Sequence, residues 1–172
     1  MNPFGKIISP GTIRFERLLP GSVEVVWTYL TESEKRGKWL ASGEMELFEG
    51  GKIELNFVHA DLSAVKEVIP SKYKDYEKGH GFSGRVTKCE PPSLLSFTWA
   101  DDSEVTFKLS QQGEQVLLEL THRRLGDKKG TQVSVASGWH THLGILIDHL
   151  NGMAPKGFWA VHTGMEKEYD NN

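Results

Sequence analysis

Alternation of hydrophobic and polar positions predicts β-strands along most of the chain. The stretch "TIRFERLL" (12 to 19) alternates imperfectly and stops at Pro20-Gly21, which predicts a first strand. Two alternating runs in "EMELFEGGKIELNF" flank Gly50-Gly51 and predict a hairpin. Further strands are predicted at Phe82 to Cys89, Leu94 to Trp99, Glu104 to Ser110 and Gln115 to Arg123. Because the connections between these runs are short, we expect an antiparallel meander.

Helical spacing of apolar residues appears after the first strand and again near the end of the chain. Ser22 is placed to cap a short helix, and a second short helix is predicted from Ser33 to Leu40. The longest periodic stretch contains "SGWHTHLGILIDHLNG" and ends at Asn151-Gly152. Its apolar stripe holds Val135, Trp139, His142, Leu143, Leu146 and Leu150. We therefore expect an α+β fold: an antiparallel sheet wrapped around a long C-terminal helix, with two short helices after strand one and a pocket between helix and sheet.

The segment between Val58 and Gly81 has no sustained period and is rich in Lys, Glu and Tyr. We interpret it as a long crossing loop with a helical turn at most. Loops of this length in compact domains are usually functional or mobile, so a lid or gate over the pocket is one interpretation. A solvated insertion is the other, and the sequence does not separate them.

Composition narrows the classes of partner. The chain has 172 residues and carries 20 basic against 23 acidic side chains, a net charge of −3. The basic residues form no block, so we expect neither a nucleic acid nor an anionic membrane as partner. No apolar run approaches the roughly 20 residues that span a bilayer. The only cysteine, Cys89, fits a reducing compartment, and we expect a single cytoplasmic domain without membrane insertion.

Large rings and a few polar side chains are the candidates for ligand contacts. Sheet and helix positions should bring them together on one interior face. We predict an apolar wall made of Trp99, Trp139, Phe57, Phe82, Leu143 and Leu146, with polar contacts from His122, Arg17 and His142. A plain hydrophobic core, with no space left between these groups, is the alternative interpretation.

His122 and Arg17 each allow two interpretations. His122 shares a strand face with Leu118 and Leu120, so it should enter the interior, either as a hydrogen-bonded structural histidine or as a ligand contact. Arg17 either meets an anionic group of a ligand or pairs with a surface carboxylate.

The histidines of the long helix raise the question of a metal. His142 and His149 are seven residues apart, about two turns, whereas helical pairs that chelate one ion are separated by three or four residues. A site would need His122, His59 or His80 to approach from outside the helix. No phosphate loop, GxSxG, HExxH or cysteine pair is present, so we expect no metal and no cofactor and assign no catalytic residue.

The order of elements and several phrases resemble a known family. These phrases are "LLPGSVEVVWTYLTESEKRGKWL", "GRVTKCEPPSLLSFTW", "VTFKLSQQGEQVLLELTHRRL" and "SGWHTHLGILIDHLNG". Together they are similar to the activator of heat-shock chaperone ATPase homologue (AHSA) branch of the START-like helix-grip (SRPBCC) superfamily, in its bacterial single-domain subgroup, over about residues 12 to 152. "TESE" stands where "TDPE" is usual, and the Val58 to Gly81 segment is longer than in the family.

The resemblance implies the helix-grip fold and leaves three functions in competition. The superfamily includes hydrophobic-ligand carriers, polyketide cyclases, hydroxylase subunits and the chaperone activator itself. We expect binding of a small, largely apolar ligand, lipid-like or polycyclic, between sheet and helix. The alternatives are an interaction module that regulates a chaperone and a cyclase- or hydrolase-type enzyme acting on an apolar substrate.

The tail after the predicted domain carries its own apolar surface. Residues 153 to 172 include Phe158, Trp159, Val161 and Tyr169. That much apolar surface does not suit a solvated terminus. We expect the tail to pack either on the domain of residues 12 to 152 or on a second subunit, in a homodimer.

Overall fold

The computed structural model describes all 172 residues. Its strands are β1 (Lys6–Ser9), β2 (Thr12–Pro20), β3 (Lys52–Phe57), β4 (His80–Glu90), β5 (Leu94–Thr98), β6 (Glu104–Gln112) and β7 (Gln115–Arg123). Its α-helices are α1 (Val23–Thr31), α2 (Ser33–Gly37), α3 (Lys129–Leu150) and α4 (Phe158–Asn171). Two short 3₁₀ helices, His59–Leu62 and Ser71–Tyr76, lie between β3 and β4.

The seven strands form one antiparallel sheet in the order β1-β2-β7-β6-β5-β4-β3. The first long strand, β2, pairs with the last strand, β7, so that Ile13 lies opposite His122 and Leu19 opposite Val116. Alternate residues of both strands are buried, which gives the sheet one inner face. Helix α3 buries Trp139, with Leu143 and Leu146 fully enclosed. The predicted α+β arrangement of a sheet around a long helix is therefore confirmed.

The two short helices are held to the body by a buried arginine. Arg36 is only 1% exposed, and its guanidinium donates hydrogen bonds to the carbonyl oxygens of Leu30, Thr31, Ala41 and Gly43. These bonds supply the partners that a buried cation requires. The chain turns here, so α2 ends at Gly37 rather than continuing to Leu40 as predicted.

The predicted hairpin around Gly50-Gly51 is present, but its first arm pairs irregularly. Only β3 forms a strand, while Met45 and Ser42 make isolated bridges to Ile53 and Asn56. Gly43 has φ +133° and a Cβ there would collide with the carbonyl of Glu54, so the close approach of this arm to β3 requires glycine. The alternation of this arm therefore reflects irregular antiparallel pairing with β3 rather than a regular strand.

Strand β1 and the helical conformation of the C-terminal tail were not predicted. The edge strand β1 is short and exposed, and α4 packs against α3. Tyr169 of α4 joins the two ends, because its hydroxyl accepts a hydrogen bond from the backbone N–H of Gly5 (2.8 Å) and lies 2.9 Å from Nδ1 of His140. No helix has the length and apolar character needed to cross a membrane.

Candidate functional site: a ring-lined cavity under α4

A cavity of about 360 Å³ lies between one end of the sheet and the N-terminal half of α3. Its volume falls at the small end of the range for ligand pockets, about 300–1,000 Å³. The sheet side is lined by Phe57, Phe82, Trp99, Ala100 and His122, and the helix side by Leu40, Ser134, Val135, Gly138, Trp139 and His142. The remaining lining residues belong to the segment after β3, to the first residue of β4 and to α4: His59, Tyr73, Tyr76, His80, Phe158, Trp159 and His162.

Strand register brings the sheet-side rings together. Phe57 ends β3 opposite His80, and Phe82 lies two residues further along β4. Trp99 follows directly on β5 and packs its indole edge-on against Phe82, with ring centroids 4.8 Å apart. His122 lies at the same end of the sheet, near the end of β7. Because all four positions are at strand ends, they border an opening rather than the middle of the core.

Trp99 and Trp139 touch, yet space remains beside them. Their ring centroids are 5.3 Å apart. Gly138 precedes Trp139 in α3, and a Cβ added there would meet nothing within 4 Å. The cavity therefore exists partly because this helix position has no side chain. A larger residue at Gly138 would enter it.

The segment between β3 and β4 covers the cavity together with α4. His59 packs on Phe158 with ring centroids 4.4 Å apart, and Tyr73 stacks on Trp159 at 4.9 Å. Tyr76 and His80 are exposed at the rim. We call residues 58 to 79 together with α4 the roof. Of the two interpretations of this segment, its position favours a covering role over a purely solvated insertion.

Glu67 fastens the two parts of the roof. Its carboxylate accepts hydrogen bonds from the backbone N–H groups of Trp159 (3.0 Å) and Ala160 (2.7 Å) in the first turn of α4, where helix N–H groups have no helical partner. A Cβ at Gly157 would overlap this carboxylate, so a larger residue there would push Glu67 away from these N–H groups. Ser63 adds a hydrogen bond from Oγ to the carbonyl of Pro155 (2.9 Å).

Both ring nitrogens of His122 are used within the protein. The indole N–H of Trp139 can only donate, so Nδ1 of His122 accepts it at 3.0 Å and Nε2 carries the proton. Nε2 then donates to Oγ of Ser103 at 2.6 Å, and the Ser103 hydroxyl donates to the carboxylate of Asp101. Burial lowers the pKa of His122 to about 4, against an opposing effect of Asp101. These contacts favour the structural interpretation of His122.

His142 keeps one nitrogen free. Its Nδ1 lies 2.7 Å from the carbonyl oxygen of Trp39, which can only accept, so Nδ1 carries the proton. Burial lowers the pKa of His142 to about 4, so the ring is neutral at physiological pH. Nε2 is then an unprotonated acceptor and has no hydrogen-bond partner in the protein. Since the ring borders the cavity, this nitrogen is available to a bound molecule.

Two roof histidines have buried Nδ1 atoms without a hydrogen bond, His59 and His162. Burial, followed by the nearby His142, lowers the pKa of His59 to about 3. Nδ1 of His162 is 3.2 Å from a carboxylate oxygen of Glu166, close enough for an ion pair but not aligned for a hydrogen bond. No group of three or more histidine, cysteine or carboxylate side chains is arranged to hold one metal ion.

The cavity contains six of the nine predicted ligand contacts and leaves out three. Trp99, Trp139, Phe57, Phe82, His122 and His142 line it. Leu143 and Leu146 do not, because the cavity lies toward the N-terminal half of α3 and these two leucines are enclosed in the core. Their expected place in the wall is corrected accordingly.

Arg17 also lies outside the cavity. It is 6% exposed, bonds through Nη1 to the backbone oxygen of Glu16 (2.9 Å) and has no carboxylate partner. The structure thus shows no surface ion pair for Arg17, and its position outside the cavity separates it from the other predicted ligand contacts. The strand pattern placed the side chain inward correctly, but it did not indicate which part of the inner face remains open.

The residues by which the roof lines the cavity were not predicted from the sequence. The aromatic and histidine side chains of the roof supply about as much of the wall as the sheet does. Their segment lacks a period, so no face could be assigned to Tyr73 or Tyr76. The concentration of rings in "GFWAVHTGMEKEY" and the neighbouring loop was the available signal.

An antiparallel sheet packed around a long helix, with a ring-lined cavity between them, defines a helix-grip fold. The family model described as Activator of Hsp90 ATPase homolog 1-like protein matches residues 20–151. The chain belongs to this family, as the motifs around α1, β5 to β7 and α3 indicated. No curated protein matches it.

Solved structures show the same fold. The protein encoded by gene BPP1335 from Bordetella parapertussis is 41% identical, with a TM-score of 0.84 over 99% of this chain and 91% of that chain. CalU16 from Micromonospora echinospora is 24% identical, with a TM-score of 0.66 over 93% and 86%. EF2215 from Enterococcus faecalis, described as a conserved protein of unknown function, is 22% identical, with a TM-score of 0.65 over 95% and 88%. The last two likenesses concern the fold alone.

Proposed function

We propose that the protein binds a small, largely apolar molecule in the cavity under the roof. The observation that carries the proposal is the space next to Gly138, surrounded by indole and phenyl rings from sheet, helix and roof. Closely packed interiors rarely leave such a volume empty. Apolar surface removed from water contributes roughly 25 cal/mol per Å², enough for micromolar affinity without ionic contacts. Cys89, a free thiol, agrees with a cytoplasmic carrier.

A chaperone-regulating module is the second candidate, because the description of the family names a chaperone ATPase activator. It differs from the carrier in where its partner would bind. A module uses its surface, so its partner would bind equally well whether the cavity is open or filled. The two candidates therefore respond differently to a variant that closes the cavity.

Gly138→Leu is that variant, and Gly144→Leu is its matched control. Both glycines lie in α3 with no atom within 4 Å of an added Cβ, but only Gly138 borders the cavity. Both changes replace a glycine within a helix, which favours the helix by a similar amount. Any difference in binding between the two variants thus reports the cavity and not the fold.

The experiment is a titration with N-phenyl-1-naphthylamine, a neutral dye whose emission rises in apolar surroundings. We expect saturable binding to the unmodified protein and to Gly144→Leu, and at least about tenfold weaker binding to Gly138→Leu, a difference of roughly 1.4 kcal/mol. Equal binding by both variants, or a signal that never saturates, would refute the cavity as the site. A chaperone that is retained equally by both variants would favour the interaction module.

A further inference from the structure

We infer that the occupant of the cavity is a neutral aromatic molecule with a hydroxyl group that donates a hydrogen bond to Nε2 of His142. This inference rests on the proposed binding function and adds the chemical class of the ligand. Three features of the site support it: the fixed tautomer of His142, the unpartnered nitrogen of His59 and the absence of charge from the lining.

The tautomer of His142 leaves a hydrogen-bond acceptor, the Nε2 atom, in the wall of the cavity. The carbonyl of Trp39 holds the proton on Nδ1, so the neutral ring presents only a lone pair at Nε2. Two of the other polar groups of the lining are already engaged. His122 bonds through both nitrogens, and the Tyr73 hydroxyl donates to Glu166 at 2.9 Å. A ligand that offers a donor next to His142 therefore forms a bond that the protein alone does not make.

His59 favours a hydroxyl over a donor that cannot also accept. Its ring centroid is 5.8 Å from that of His142, its Nδ1 is enclosed by protein, and neither of its ring nitrogens has a hydrogen-bond partner, so Nε2 is the nitrogen open to a ligand. One oxygen about 2.8 Å from a nitrogen of each ring can bridge that distance. A hydroxyl can donate to His142 and accept from His59, whose own tautomer is not fixed by any protein contact. A ring N–H could satisfy only the first of these contacts.

The lining excludes a charged group. It contains no Lys, Arg, Asp or Glu side chain, and the histidines with resolved shifts have lowered pKa values and are neutral at physiological pH. A carboxylate or an ammonium group placed there would lose its hydration without gaining a counter-ion. The rings around it, such as Phe82, Trp99 and Trp159, offer edges and faces to an aromatic occupant. Charged lipids are thus poor candidates.

Three probes with one ring system test the inference by isothermal titration calorimetry at neutral pH: 2-naphthol, 2-methoxynaphthalene and 2-naphthoate. They differ in carrying a hydroxyl donor, an ether without a donor and a negative charge. We expect 2-naphthol to bind about tenfold more tightly than 2-methoxynaphthalene, the effect of one buried hydrogen bond, and 2-naphthoate to bind most weakly.

The variant His142→Phe removes the acceptor and should reduce the preference for 2-naphthol over 2-methoxynaphthalene to near unity. His140→Phe is the control, since His140 lies on the same helix but outside the cavity and bonds to Tyr169. His142→Phe also leaves the carbonyl oxygen of Trp39 without its hydrogen-bond donor. If that variant does not fold, His59→Phe, which leaves that bond intact, should lower the preference at least threefold.

The outcomes separate this inference from the function on which it rests. Equal binding of all three probes would overturn the hydroxyl inference and leave the apolar binding site in place. Tightest binding of 2-naphthoate would overturn the neutral character of the ligand. Failure of every probe to bind would overturn both proposals.

Discussion

The indole N–H of Trp139 donates a hydrogen bond to Nδ1 of His122 at 3.0 Å, joining the long helix to the end of β7. The bond decides the chemistry of His122. With Nδ1 occupied, Nε2 must carry the proton and cannot take one from Ser103. A serine, a histidine and an aspartate are adjacent here, yet the direction of their hydrogen bonds is opposite to that of a nucleophile activated by a base.

His122→Phe should therefore destabilise the fold without creating or abolishing a catalytic centre. The substitution leaves the buried indole N–H of Trp139 without an acceptor, which costs about 1–3 kcal/mol of the free energy of unfolding. Urea denaturation measures this loss. The double variant His122→Phe with Trp139→Phe should lose less free energy of unfolding than the sum of the two single losses, because the two residues share one hydrogen bond. Strictly additive losses would contradict the proposed coupling.

Stability should fall as the solution becomes acidic. Burial lowers the folded-state pKa of His122 and of His142 to about 4, below the ordinary value of 6.5, so the unfolded chain takes up protons first. The stabilisation from keeping these rings neutral is complete above about pH 6.5 and is lost as the pH falls from there toward about 4. Each ring accounts for up to about 3 kcal/mol.

Urea unfolding at about pH 7, 5.5 and 4.5 tests this dependence. The midpoint should decrease at each step below about pH 6.5. The same direction applies to the other histidines of the site, His59, His80 and His162, whose pKa values burial also lowers. A midpoint that stays constant down to about pH 4.5 would mean that the histidines are not held neutral by the fold.

Glu67→Ala should loosen the roof. Its carboxylate is the partner of two N–H groups at the start of α4, and loss of such a cap costs about 0.5–2 kcal/mol. We expect faster amide hydrogen exchange at Trp159 and Ala160 and faster dissociation of a bound dye. Glu77→Ala is the control, because Glu77 lies in the same segment but pairs only with exposed Lys74. Identical exchange rates in the two variants would show that Glu67 does not fasten the roof.

The sequence predicted the elements that have a period and missed those that do not. Strands β2 and β4 to β7, helix α1 and the course of α3 followed from alternation and helical spacing. The arm around Met45 alternates but pairs with β3 only through isolated bridges, and the alternation alone did not indicate this irregularity. In the roof, aperiodic residues such as Tyr73 are placed by contacts with α4 that are distant in sequence.

The sequence predicted which side chains point to the inner face of the sheet, but not where space remains between them. The alternation of side chains along a strand placed His122 and Arg17 on the inner side of the sheet, and both are buried. Whether space remains next to an inward side chain depends on what packs opposite, which a single strand does not reveal. Gly138 illustrates the point, since its missing side chain opens the cavity while Leu143 and Leu146 fill the next turns.

The five tryptophans allow the most direct test of ligand binding in the cavity. Trp99, Trp139 and Trp159 line it, whereas Trp27 and Trp39 do not. In a ¹⁵N-labelled sample titrated with 2-naphthol, the indole N–H resonances of the three lining tryptophans should shift saturably with one common affinity. The resonances of Trp27 and Trp39 should stay in place, because Trp39 bonds to the carbonyl of Tyr29 away from the cavity. Shifts confined to Trp27 or Trp39, or no saturable shift at any indole, would contradict binding under the roof.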